Sequence, residues 1–375
     1  MLTSGEEPQI RAAGLRAGAA AESVQSRFGH RLFGLPGTHL GTIRSPRGRS
    51  GTAWHYWWQA HYLDALVDAA QRESDRGEAA GHPASALTAR RLLRGILLRN
   101  GLRWTNSYYD DMAWLALAVD RLYRLGGDGG RALPALERAL RSAQTPDLGG
   151  GLYWNTDRDF KNTPATGPAA LVFARRDDPG RAQDLVDWLG LRLRDRQTGL
   201  YRDGIRLTAG SEVLVPAVYT YNQGPVLGAL LALGGTANLT VAADLVAAVG
   251  KHLAVDGVLI THGGGDGGLF TGILVRYLGL AALDSSLPGA ARRTAAALVT
   301  TTADSLWAGR TAVDAPAVRG RRRDSKAAVL SFPAGTGDDA VTGGAELSTQ
   351  LQTWIILEAA YRVTAGATGD AEVLE

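Results

Sequence analysis

The stretch Asn106-Ser107-Tyr108-Tyr109-Asp110-Asp111-Met112-Ala113-Trp114-Leu115-Ala116-Leu117-Ala118 sets two consecutive carboxylates at the start of an otherwise apolar helix. An aspartate there has an inexpensive structural use, because it accepts hydrogen bonds from free N–H groups and complements the positive end of the helix dipole. Two in succession call for a further reason. Asn106 or Ser107 is the expected cap, and Gly126-Gly127 the expected end.

The same pattern repeats outward along the chain: apolar residues at i, i+3, i+4 and i+7, then a loop rich in Gly, Asp, Asn and aromatics. It predicts helices over 21–33, 52–74, 84–99, 109–125, 130–142, 164–176, 179–196, 219–234, 237–253, 267–282, 287–307 and 346–364. Pro164 and Pro288 fall at helix starts, where the missing N–H costs nothing. Strand-like alternation is scarce. An all-α chain of twelve helices reads as six hairpins in an (α/α)6 toroid, with the helix N-termini and their loops lining the inner ring. Segments 150–155, 198–204 and 256–259 read as small Gly-turned β-hairpins on one face. Residues 1–20 read as a flexible start, 21–375 as a single catalytic domain, and 309–345 as a lid or rim loop.

Composition narrows the function. A chain of 375 residues that is 45% hydrophobic supports one large helical domain. Net charge is only +3, without a basic stripe interleaved with aromatics, so no nucleic-acid partner is expected. The run Arg319–Arg323 reads as a solvated loop. Without cysteine, thiolate nucleophiles and Cys-based zinc sites are excluded. The charged N-terminal stretch lacks an apolar signal core, and no apolar window is expected to span a membrane; a cytoplasmic location is expected, or a secreted one if a leader has been removed. The seven histidines show no metal-ligand spacing. Gly263–Gly268 lacks the Lys-Ser/Thr of a phosphate loop, and no nucleophile elbow is present. No cofactor or metal is expected, and the protein reads as a monomer.

Two adjacent carboxyls suit glycoside hydrolysis, which needs one ionised group at the anomeric carbon and one protonated group on the leaving oxygen. Consecutive Cα atoms lie about 3.8 Å apart and diverge by about 100°, compatible with the roughly 5 Å carboxyl separation of retaining enzymes. Mutual repulsion would split their titrations. Trp104, Tyr108 and Tyr109 nearby offer desolvation and a stacking wall.

At this segment the chain resembles glycoside hydrolase family 76, the bacterial endo-α-1,6-mannanases and their fungal relatives. Further stretches carry the resemblance in the same order: Tyr56-Trp57-Trp58-Gln59-Ala60-His61; Gly151-Leu152-Tyr153-Trp154-Asn155 with Lys161-Asn162 and Gly167-Pro168-Ala169; Tyr219-Thr220-Tyr221-Asn222-Gln223-Gly224; and Gly265-Asp266-Gly267-Gly268-Leu269-Phe270 before Arg276-Tyr277-Leu278. It extends from about residue 20 to 365. Thr271 stands where Lys is expected and Tyr153 where Trp is common. The resemblance implies an (α/α)6 fold, retaining hydrolysis of α-1,6-linked mannose chains in endo mode, Asp110 as nucleophile and Asp111 as general acid/base.

The resemblance also bears on the loop residues. Asn155, Lys161 and Asn162 are ordinary turn formers that it turns into hydroxyl ligands, and Trp154 and Phe270 become cleft aromatics. Tyr221, Asn222 and Gln223 open a helix, where Asn222 would cap or bind sugar. Asp203 and Asp266 sit in Gly-flanked loops as turn formers or hydroxyl acceptors. Trp57 and Trp58 read first as core, and Arg276 as a structural bridge. Three other readings remain: transglycosylation by the same pair, a non-catalytic glycan-binding toroid, and a sugar 2-epimerase, which would need histidines at the helix starts.

Overall fold

The computed structural model describes residues 6–45, 54–77, 83–127, 129–208, 210–313, 329–335 and 345–371. Its twelve helices are α1 (Glu6–Phe28), α2 (Tyr56–Asp75), α3 (Ala84–Arg99), α4 (Tyr109–Arg124), α5 (Ala132–Ala143), α6 (Thr163–Arg175), α7 (Pro179–Arg192), α8 (Thr220–Leu233), α9 (Gly235–His252), α10 (Phe270–Leu283), α11 (Gly289–Ala308) and α12 (Leu347–Ala371). The even-numbered helices form a closed ring, α2 on α4, α4 on α6, α6 on α8, α8 on α10, α10 on α12 and α12 back on α2. Each odd-numbered helix packs outside, against its hairpin partner, with α1 covering α12. This is the expected (α/α)6 toroid.

The residues explain which helix goes where. Outer α5 buries a single stripe, Leu133, Leu136, Leu140 and Ala143, as a half-solvated helix should. Inner α6, α8 and α10 are apolar on nearly every side and buried on nearly every side. Small residues let these inner helices approach: a methyl on Gly228 of α8 would stand 2.6 Å from the Tyr277 ring of α10. Gly265–Leu283, which includes α10, is long and apolar enough to cross a membrane, contrary to the sequence reading, and 72% of it is buried within the ring.

The strands are short. β1 (Gly29–His30) pairs with β2 (Leu40–Gly41), and β3 (Arg44–Ser45) with β11 (Ala345–Glu346). β4 (Phe160–Asn162), β5 (Gly204–Thr208) and β6 (Ser211–Val215) make an antiparallel sheet of three. β7 (Ala254–Val255) and β8 (Val258–Leu259) form the expected hairpin, turned by Asp256-Gly257 with φ of 50° and 78°. β9 (Thr311–Val313) pairs with β10 (Val329–Ser331). The other two expected hairpins are corrected: 150–155 and 198–204 form isolated bridges, Gln144 to Leu152, Tyr153 to Lys161 and Arg194 to Tyr201.

From Glu6 onward the expected flexible start is also corrected. α1 begins at Glu6, and Ala17, Ala20, Ala21, Val24 and Phe28 are buried along one of its faces. The reading of 309–345 as a lid, and of Arg319–Arg323 within it, falls mostly outside the described residues. Arg276 is the structural bridge expected of it, donating to Asp68 and ion-paired to Asp64 at 3.0 Å.

Candidate active site

α2, α4, α8 and α10 all begin at one end of the toroid, and their first turns floor a cleft of about 800 Å³. Asp110 and Asp111 stand at this floor, recessed but reached through the cleft. Tyr108, not Asn106 or Ser107, is the residue before the helix, and no side chain caps it. Asn106 instead donates to Asp111 Oδ2 at 2.6 Å, while its own Oδ1 accepts from the Tyr108 N–H. Asp110 Oδ1 accepts from the Asp111 N–H at 2.9 Å, and its Oδ2 accepts from the Trp154 indole N–H at 2.9 Å.

Trp154 reaches Asp110 because its loop is fastened to the start of α4: the Tyr109 N–H donates to the Trp154 carbonyl at 2.8 Å. Gly151 makes the turn before it, at φ 72° and so close to Trp188 that a Cβ would lie 2.6 Å from the ring.

Both carboxyls titrate high. Burial lifts Asp110 to about 7, opposed by hydrogen bonds from the Asp111 N–H and Trp154 and assisted by Asp203. Burial and then the charge of Asp110 lift Asp111 well above the carboxylate range, opposed by Asn106. Ionisation of one carboxyl disfavours ionisation of the other, so the pair gives up its first proton near neutrality and holds the second to higher pH. Near neutrality the pair therefore contains one anion and one acid.

Around it the cleft is lined with aromatics. Tyr221 stacks on Phe270 with ring centroids 4.0 Å apart and planes 15° apart. Trp54, Trp57, Trp114, Trp154 and Phe160 complete the apolar lining, and Asn162, Asp203 and Asp266 add polar groups. Asp266 is oriented by the Trp58 indole N–H at 3.0 Å, so Trp58 is core as expected whereas Trp57 faces the cleft.

Of the residues singled out in the sequence, Asp110, Asp111, Trp154, Asn162, Asp203, Tyr221, Asp266 and Phe270 converge on this cleft. The others are corrected. Lys161 is fully buried, its ammonium donating to the Thr145 carbonyl and hydroxyl and to the Asp147 and Gly150 carbonyls at 2.7–2.9 Å. Gln223 is fully buried and ties down the Tyr201 and Tyr219 carbonyls. Asn222 is buried behind Asp203, 3.4 Å from its Oδ1. Asn155 closes a local turn with Asp157. Tyr109 belongs to the core, and Trp104 packs against that core while its carbonyl takes the Tyr56 hydroxyl.

Sequence reading missed Trp54, His55, Tyr56, Asn100, Asn106, Ser107, Trp114, Phe160 and Arg206 as cleft residues. Helical spacing gave no signal for Trp54, which precedes the extended His55 and lies outside α2; Trp57, in the first turn, is partly exposed while Trp58 turns inward.

The sequence profile of glycosyl hydrolase family 76 matches residues 17–318. No curated protein sequence matches the chain. Among solved structures, the GH76A α-1,6-mannanase of Salegentibacter sp. HEL1_6 superposes with a TM-score of 0.80 at 28% identity, over 94% of this chain and 99% of that one. An inactive variant of that enzyme with two consecutive aspartates changed to asparagine, in complex with α-1,6-mannotriose, superposes with a TM-score of 0.79 at 28% identity and the same coverage. A family 76 mannosidase of Bacteroides thetaiotaomicron shares the fold at 16% identity, with a TM-score of 0.73 over 94% of this chain and 98% of that one.

Proposed function

The chain belongs to glycosyl hydrolase family 76, and from that premise we propose that it cleaves α-1,6-linked mannose chains with retention, Asp110 acting as nucleophile and Asp111 as acid and then base. The observation that carries the reading is the recessed pair itself: consecutive carboxyls on a cleft floor, one ionising near neutrality and the other still protonated there. Support for the substrate comes from the Salegentibacter enzyme, an α-1,6-mannanase seen with α-1,6-mannotriose in a variant inactivated at two consecutive aspartates.

The chemistry follows from the pair. The ionised Asp110 attacks the anomeric carbon as the glycosidic C–O bond breaks, and Asp111 gives its proton to the departing sugar oxygen. A glycosyl ester on Asp110 results. Asp111, now ionised, takes a proton from a water that attacks the same carbon, which releases the sugar and restores both carboxyls. The Trp154 N–H holds the attacking carboxylate in one rotamer, and the Asn106 amide holds the acid. Adjacent residues favour retention over inversion, because inverting pairs stand roughly 6.5–9.5 Å apart to admit a water between them. The stacked Tyr221 and Phe270 and the indoles lining the cleft suit the apolar faces of a sugar chain, and Asp203, Asp266 and Asn162 its hydroxyls.

The test is hydrolysis of linear α-1,6-mannooligosaccharides by the wild type and by Asp110→Asn and Asp111→Asn, with the product anomer followed by proton NMR from the first turnover. Wild type should release the α-anomer first, and each variant should lose at least about 10³-fold in kcat. A β-anomer first would overturn retention. Mannosyl transfer without net hydrolysis would show a transglycosylase, and no turnover by wild type would sink the substrate.

A further inference from the structure

At the end of the toroid opposite the cleft the inner helices gather charges that hydrolysis does not use. Along α4, at 1.5 Å per residue, Arg121 lies roughly 15 Å beyond Asp111. Arg121 donates to Asp64, to Asp68 Oδ1 at 2.5 Å and to Gln71 Oε1 at 3.0 Å. Arg276 donates to Asp68 Oδ2. Burial works to raise Asp68, but the guanidiniums of Arg121, Arg276 and Arg362 outweigh it and hold the carboxyl well below its usual range.

Asp64 and Asp68 are consumed by these bonds, and cationic N–H groups are left over. Nη2 of Arg276, a residue 4% exposed, has no hydrogen-bond acceptor, and neither have Nε and Nη2 of Arg362, the latter 3.6 Å from Asp68 Oδ1. Arg175 at the end of α6 adds a further guanidinium, which burial holds below the usual arginine range, as it does that of Arg362. These side chains line a pocket of about 270 Å³, smaller than the roughly 300–1,000 Å³ that drug-sized ligands occupy. One acceptor in it also lacks a hydrogen-bond donor. Asp120 Oδ2 accepts from Arg124 at 2.9 Å, while its buried Oδ1 accepts no hydrogen bond and has Arg176 Nη1 at 3.7 Å as an ion-pair partner.

Arg121 and Arg175 lie in the last turns of α4 and α6, where they complement the negative end of the dipole, but Arg276 and Arg362 lie mid-helix. The dipole does not account for N–H groups and a carboxylate oxygen left without hydrogen-bond partners around one small pocket, since buried polar groups are ordinarily satisfied. We propose that this pocket binds inorganic phosphate as hydrogenphosphate, whose oxygens accept from Arg276, Arg362 and Arg175 and whose one O–H donates to Asp120. Charge-assisted bonds from guanidinium to phosphate are among the strongest of this kind.

Isothermal titration of inorganic phosphate into the full-length protein, at ionic strength held constant with chloride, tests the proposal. Phosphate should bind saturably, and sulfate, which lacks an O–H at neutral pH, at least tenfold more weakly. Arg362→Gln should weaken phosphate binding at least tenfold, with mannooligosaccharide turnover in phosphate-free buffer unchanged. Asp120→Asn, which can donate to sulfate, should erase the preference between the two anions. Should either variant fail to fold, the wild-type titrations still decide: no saturable phosphate heat, or equal affinity for sulfate, would overturn the assignment and leave the arginines a purely structural plug.

Discussion

Replacing Asp110 by asparagine should abolish activity and at the same time make the protein more stable. Its carboxyl is raised from 3.8 to about 7, so the folded state binds the proton more tightly than the unfolded state. Stability is therefore lost as pH rises from about 4 through about 7, and an amide, which never ionises, escapes that loss. Thermal melts of wild type and Asp110→Asn should coincide below about pH 4 and separate by roughly 1–4 kcal/mol at pH 8; coincident melts at pH 8 would refute the raised titration. The rate profile carries a second sign. Asn106 lowers Asp111 by its hydrogen bond, so Asn106→Ala should move the alkaline limb of kcat/KM to higher pH and leave the acid limb, set by Asp110, in place. At this scale the sequence led to the cleft where two charges in succession opened an apolar helix, as with Asp110 and Asp111. It was not readable for Lys161, Asn222 and Gln223, since polar side chains beside a sugar-like motif serve backbone carbonyls as readily as hydroxyls, and only the fold decides which they face.

Among elements, the loop between α5 and α6 depends on one cation. Lys161 gathers three carbonyls and a hydroxyl from residues 145–150 and stands 4.7 Å above the Tyr153 ring, and the same loop delivers Trp154 to Asp110. Lys161→Met would keep the stem and strand those acceptors. It should cost about 2–4 kcal/mol in urea unfolding, by analogy with other buried groups left unsatisfied, and it should lower kcat more than it raises KM, because the carboxylate loses its orientation. An unchanged kcat would disconnect the loop from the chemistry. Helices with Leu at regular spacing, such as α5, were evident in the sequence. The part of α1 before residue 21 was not, because the face it buries is made of alanines such as Ala17 and Ala20, and alanine on an Ala-rich stretch does not stand out as a core residue. Only contact with α12 gives that face its meaning.

For the whole molecule, α1 is the outer partner of the helix that closes the ring. Phe28→Ala at its end should cost about 3–5 kcal/mol, the usual range for emptying a fully buried phenylalanine site, and should lower the Tm without moving KM; a neutral effect would mean that α1 merely rests on α12. The toroid itself was legible from six hairpins' worth of helical periodicity. The particular pairings that close it were not, because the contacts of α12 with α2 and of β11 with β3 join distant parts of the chain. That closure sets an order of events during synthesis. α12 is the ring member between α10 and α2, so a ribosome must supply 347–371 before the toroid that carries the cleft can close. Until then five hairpins wait with an open apolar seam, and a chain stalled at any earlier codon is a client for chaperones or proteases and never a slow enzyme.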